Sequence, residues 1–204
     1  AATIRALAER AVAMAAEAPE DPNAGLADPG QLAQGWDLAA LDLADPGDEP
    51  SAAQLEAQAR AVEAAALQEG ITQVEAAAGY GRRALHMAGT NGFAGGYGRT
   101  TTSLSAVAFT GQGTDMQRDY AGESRVYAAD LPGADGIGRL AAERALQRVG
   151  SVKPRTGTYP VVYDERVAAS LIGHLLSAIN GTSIARGSSW ARDLLGKQVL
   201  PAGL

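Results

Sequence analysis

His86 and His174 are the two histidines in 204 residues, and there is no cysteine. Disulfides, thiolate metal sites and a cysteine nucleophile are therefore excluded. A catalytic zinc takes about three protein ligands. His174 lies in LIGHLLSAI, on a helical stripe with Val167, Leu171, Leu175 and Ala178. A lone histidine there is expected to be a buried, hydrogen-bonded core residue, because no second histidine or carboxylate shares the face. His86, in RRALHMAG, reads as a structural residue of a strand. A Ser–His–Asp triad has no GxSxG elbow to build on. The hydroxyls Thr182, Ser183, Ser188 and Ser189 follow a helix stop, where small polar residues are ordinary. GYGRR (Gly79–Arg83) and FAGGYGR (Phe93–Arg99) are neither GxxxxGK[ST] nor a GxGxxG that opens a helix, so they read as turns between strands.

The elements that would position these residues follow from periodicity. Residues 3–17 form a helix with Ile4, Leu7, Ala11, Met14 and Ala15 on one face, stopped by Pro19 and Pro22. Residues 18–50 hold five of the nine prolines and read as a connector with a turn near Leu38–Leu43. Ser51 and Gln54 make a capping box for a helix ending at Gly70, with Leu55, Ala59, Val62, Ala65 and Ala66 inward. Four strands are expected between Ile71 and Leu131: ITQVEAAAGY, RRALHMAGT, GRTTTSLSAVAFT and MQRDYAGESRVYAADL. Arg118 and Asp119 read as a paired structural motif on the last of them. The next helix spans Gly133–Val149, with Ile137, Leu140, Ala141, Ala145 and Val149 inward and Arg139 paired to Glu143. After it come a strand Tyr159–Tyr163, the helix Glu165–Asn180, a Gly/Ser-rich turn and a short helix. The order gives an α+β fold, a mostly antiparallel sheet with packed helices, rather than regular βα alternation.

Alanine supplies much of the apolar content, and aromatics are only 5%, so the core must be close-packed and built from small side chains. The net charge is −6, and residues 11–59 carry ten acids with no lysine or arginine. Such a chain lacks the basic footprint of a nucleic-acid binder. No apolar run approaches the roughly 20 residues that span a bilayer. The N-terminus has no signal-peptide core, so a cytoplasmic location is expected.

Several collinear stretches resemble one family. AGTNGF (Ala88–Phe93), MQRDY (Met116–Tyr120), GRLAAERALQRV (Gly138–Val149) and PVVYDERVAASLIGHLLSAINGTSIARGSS (Pro160–Ser189) are similar to the TldD/PmbA family, on its PmbA (TldE) side. The resemblance runs from Pro19 to Pro201. It implies a domain order: 1–18 as the end of an N-terminal domain, 19–50 a linker, 51–157 a central α+β domain, and 158–204 the truncated start of a metallopeptidase-like C-terminal domain. The family's chains begin earlier and continue later, so this one resembles a fragment.

The resemblance also implies a chemistry. TldD-type members are zinc metallopeptidases with an H-E-x-x-x-H helix. PmbA-type members pair with them, and such pairs trim peptides, including leader peptides. Set against that motif, Gly173 stands at the first histidine, His174 at the glutamate and Ala178 at the second histidine. Gly173 and Ala178 have no side-chain donor, so no catalytic, cofactor-binding or metal residue is expected in this chain, and zinc belongs to a TldD-type partner. The expected role is a non-catalytic subunit that helps admit an unfolded or leader peptide, for which the sheet edges of Ile71–Leu131 offer strand addition. Two alternatives stay open: a peptidase in its own right using residues outside this stretch with His174, or a homodimeric peptide-binding module.

Overall fold

The computed structural model describes residues 2–22 and 24–201. The ends of the expected outer domains, Ala1 and 202–204, lie outside the described residues. The chain divides into two units: Ala27–Arg155, and Ala1–Leu26 together with Thr156–Leu204. Among the described residues no helix is long and apolar enough to cross a membrane.

In the larger unit, α2 (Ala52–Ala66) starts at the expected capping box. Ser51 Oγ accepts the Gln54 N–H, and Gln54 Oε1 accepts the Ser51 N–H at 2.8 Å. The helix stops at Ala66, and Gly70, at φ +86°, turns the chain into the sheet. The sheet is an antiparallel meander of three strands in the order β1 (Ile71–Ala88), β2 (Ala94–Thr110), β3 (Gln117–Arg125).

Three strands stand where four were expected, because Gly79 and Gly81 do not interrupt pairing. They sit opposite Ser103 and Thr101 in unbroken register, and a Cβ on Gly79 would meet Ser103 Oγ at 3.0 Å. Gly79 marks close approach of a neighbouring group, a Cβ on Gly81 would meet nothing within 4 Å, and neither glycine is a break. The first two expected strands are thus one strand of 18 residues. The hairpin turn is confined to Gly89–Phe93. Gly89 N–H donates to the Phe93 carbonyl at 2.9 Å, and Gly92 takes φ +89°. The last strand ends at Arg125, and Ala128–Asp130 is a 3₁₀ turn.

The core lies between one sheet face and the pair α2 and α3 (Ala134–Leu146). It is made of Val62, Leu104, Ala106, Ala108, Ala121, Ile137, Ala141, Ala142 and Ala145. The small-residue core expected from composition is therefore present. The buried stripe of α3 is rotated from the expected one. Gly138 and Ala142 are buried, whereas Leu140 and Val149 are 38% and 62% exposed. The cause is close helix approach: a Cβ on Gly138 would lie 2.4 Å from the Val62 carbonyl oxygen. Only the small side of α3 can face α2 at that separation. Arg139 pairs with Asp135 one turn back instead of with Glu143, which accepts from Gln147 at 3.1 Å. Asp119 reaches Arg148 at 3.5 Å, just past the end of α3.

The smaller unit contains α1 (Ala2–Glu17), α4 (Glu165–Ala178) and α5 (Gly181–Ala185). The expected strand Tyr159–Tyr163 does not form. Val161 and Val162 are 69% and 95% exposed, and among the described residues no neighbouring strand offers the ladder that would hold them. The short helix lies earlier than expected, at Gly181–Ala185, because Asn180 caps it by accepting the N–H groups of Thr182 and Ser183.

Candidate functional site

Helix α4 is started by Asp164, whose carboxylate accepts the Arg166 N–H at 3.0 Å and pairs with its guanidinium at 2.9 Å. The helix then carries Gly173, His174 and Ala178 as one turn and its continuation. His174 is exposed, not buried as the apolar stripe suggested. The stripe itself is open, with Val167 49% and Leu171 46% exposed, so amphipathic periodicity identified the face but not what covers it. His86 is likewise exposed on β1.

His174 borders a hollow of about 330 Å³ together with Ser177, Ala178, Ser183, Ser188, Ser189 and Trp190. The hydroxyls gathered there do structural work. Ser189 Oγ donates to the carbonyl of Ala178 and accepts the Ala191 N–H at 2.9 Å, fastening the following turn to the end of α4. Ser188 Oγ donates to the Ser183 carbonyl at 3.2 Å. Both hydroxyls thus give their protons to backbone carbonyls, not to a base. The hollow offers one imidazole, several hydroxyls and an indole, with no carboxylate lining it.

That donor set does not fit zinc, which takes about three nitrogen, sulfur or carboxylate ligands. Among the described residues no cluster of three or more His, Cys, Asp or Glu could hold a metal. The space at Gly173 sharpens the point. A Cβ there would meet nothing within 4 Å, so the backbone position itself has room for a side chain. Ala178, in contrast, is 5% exposed and packed.

In the larger unit the sequence reading passed over a second constellation. Leu43–Gly47 is fastened to the sheet by Thr100, which is fully buried. The Thr100 N–H donates to the Leu43 carbonyl at 3.1 Å, and the Asp45 N–H donates to Thr100 Oγ1 at 2.7 Å. The Asp45 carboxylate accepts the N–H groups of Ala128, at 2.9 Å, and Gly47, at 2.8 Å. These two backbone donors, Ala128 first, hold the carboxyl below its ordinary value, with the positive field of Arg82 adding to them. The signal was present in the sequence as Asp-Pro-Gly following an apolar run, but the partner 55 residues away was not legible.

Comparison with known proteins places this geometry. Residues 45–149 match the PmbA/TldA metallopeptidase central domain, and residues 156–204 match the PmbA/TldA metallopeptidase C-terminal domain. The chain belongs to the PmbA/TldD family. Metalloprotease PmbA of Escherichia coli O157:H7 is 38% identical over 184 residues, covering 89% of this chain and 40% of that protein. The Metalloprotease PmbA homolog of Haemophilus influenzae is 32% identical over 203 residues, covering 97% of this chain and 44% of that one. The chain thus spans less than half the length of these PmbA relatives. A solved structure from Bacteroides thetaiotaomicron, described as a modulator of DNA gyrase, superposes with a TM-score of 0.74 at 28% identity, over 90% of this chain and 43% of that one. A similarly described protein from Thermotoga maritima shares the fold, with a TM-score of 0.65 at 18% identity, over 82% of this chain and 41% of its own. The PmbA/TldD assignment confirms the family and the α+β fold expected from the motifs.

Proposed function

We propose that this PmbA/TldD member is a non-catalytic, PmbA-type subunit that pairs with a TldD-type zinc metallopeptidase and helps it process or degrade peptides in the cytoplasm. In this reading 1–18 ends an N-terminal domain, 19–50 links, 51–157 is the central domain and 158–204 opens the C-terminal one. The observation that carries it is on α4. His174 is the one imidazole lining its hollow among the described residues, and Gly173 lacks a donor although a Cβ there would meet nothing within 4 Å. The zinc is then supplied by the partner. Among the described residues β1 is bonded on one side only, to β2, which leaves a free edge to which an extended peptide could add.

The test is metal content and peptidase activity of the full-length protein, alone and mixed with a TldD-type chain. The reading expects no stoichiometric zinc and no turnover alone, with activity and a co-eluting complex on mixing. Zinc and turnover in the isolated protein would overturn it in favour of a self-sufficient peptidase.

A further inference from the structure

Between Glu75 and Asp115 the chain has no acidic side chain and three arginines, Arg82, Arg83 and Arg99, in a molecule of net charge −6. Arg82 lies in the field of Asp45. Arg83 and Arg99 are different. They are directly opposite partners on β1 and β2. Strand side chains alternate between faces. Val74, Ala76, Leu104 and Ala106 pack toward the helices, so Arg83 and Arg99 belong to the other face. Directly opposite residues stand about 5 Å apart at Cβ, where like charges repel. Among the described residues neither guanidinium has a hydrogen bond or ion pair, and both side chains are exposed. Gly81 and Thr101, the next row, leave a hollow of about 250 Å³ beside the pair, which Arg82 also borders.

One row the other way, about 7 Å along the strands, Leu85 faces Tyr97. There a hollow of about 280 Å³ opens, lined by Trp36, Leu85, Met87, Phe93 and Tyr97 and almost wholly apolar. Glycine makes room for it: a Cβ on Gly95 would lie 2.7 Å from the Trp36 ring. A cationic pair and an aromatic hollow therefore occupy adjacent rows of one face.

The geometry points to a binding site for the C-terminal residue of a peptide, its carboxylate held between Arg83 and Arg99 and its apolar side chain seated in the Trp36 hollow. Guanidinium groups match a carboxylate through paired N–H donors, and a carboxylate between them replaces repulsion with attraction. Thr101 supplies a further hydroxyl donor beside it. The separation of one strand row suits the distance between a residue's carboxylate and the tip of its own side chain. The site deepens the peptide-handling reading above and rests on it for the ligand class.

The test uses the full chain and an N-terminally fluorescein-labelled hexapeptide ending in leucine, as free acid and as amide, followed by fluorescence anisotropy at about 50 mM salt to limit screening. The free acid should bind about tenfold tighter than the amide, the range of a charge-assisted hydrogen bond. Arg83→Gln or Arg99→Gln should abolish the difference while the melting temperature holds or rises, since a purely structural arginine would lower it. Leu→Ser at the peptide terminus should weaken the free acid. Equal binding of acid and amide overturns the proposal. So does full competition by millimolar inorganic phosphate, which would make this a free-oxyanion site, and so does an amidated peptide with an internal aspartate that binds as well as the acid. The assay needs no partner and no zinc, so its failure is distinct from failure of the subunit reading.

Discussion

Thr100 on β2 receives the backbone N–H of Asp45 at 2.7 Å, joining an acidic connector to the middle of the sheet. The same hydroxyl donates to the Val126 carbonyl at 3.0 Å, so one buried side chain serves two segments that are remote in sequence. Thr100→Val keeps the shape and removes both bonds, leaving a partly buried N–H and a partly buried carbonyl unpaired. The expected cost is about 1–3 kcal/mol, read from urea unfolding. An unchanged midpoint would show that water replaces the hydroxyl at no cost.

Asp45 gives that connector a pH dependence. Its folded carboxyl lies below the ordinary value of 3.8 because the charged form accepts two backbone N–H groups. Its contribution is therefore fully present above the unfolded pKa and is lost as pH falls through the lower folded one. Asp45→Asn should lower the melting temperature near neutrality, and the gap to the parent should shrink on acidification below the ordinary carboxylate range. A constant gap across that range would assign the effect to shape rather than charge.

Two glycines of α3 should respond to alanine with opposite signs. At Gly138 the new methyl would stand 2.4 Å from the Val62 carbonyl oxygen and 2.7 Å from Ala65 Cβ, both of which are fixed groups. Overpacking of this kind costs about 1–3 kcal/mol. At Gly136 nothing lies within 4 Å, so alanine should stabilise by about 0.5–1 kcal/mol through helix propensity. Thermal melts of the two variants side by side decide it.

Helix α4 allows a matching contrast. Gly173→Ala enters open space and should raise stability of its unit by about 0.5–1 kcal/mol. Ala178→His enters a site that is 5% exposed, against the Ser189 turn, and should cost about 1–3 kcal/mol. Chemical denaturation followed through Trp190, which borders the same hollow, reports on both.

The helices were largely legible because their signals are local. Ser51 with Gln54 fixed the start of α2, and the inward set Leu55, Ala59, Val62, Ala65 and Ala66 holds in the structure. What failed depended on distant partners. Leu140 satisfies the periodicity of α3, yet it points outward because Gly138 must meet Val62. Gly79 and Gly81 look like a break, yet β2 pairs straight through them. PVVY has the composition of a strand, but composition cannot supply a neighbouring one. The alignment of Gly173, His174 and Ala178 with a zinc-helix motif rests on the family resemblance, not on any local signal of the helix. The exposure of His174 was not legible, and neither was the opposition of Arg83 and Arg99, since register is set by the turn at Gly89–Phe93 and not by either strand alone.

The length of β1 carries a liability for solution behaviour. Among the described residues its 18 residues pair with β2 alone, and β3 stops opposite Thr102, so the outer half of the hairpin is a two-stranded ribbon whose β1 edge is open and whose β2 edge is tied at Thr100 to Leu43. Such edges template pairing between copies, and charged residues on them act as gatekeepers against it. Arg82 and Arg83 interrupt what is otherwise an apolar and glycine-rich run from Ala76 to Leu85. Neutralising them together removes the charge that keeps neighbouring ribbons apart, and the first consequence would be turbidity in a concentrated sample rather than any change in melting temperature.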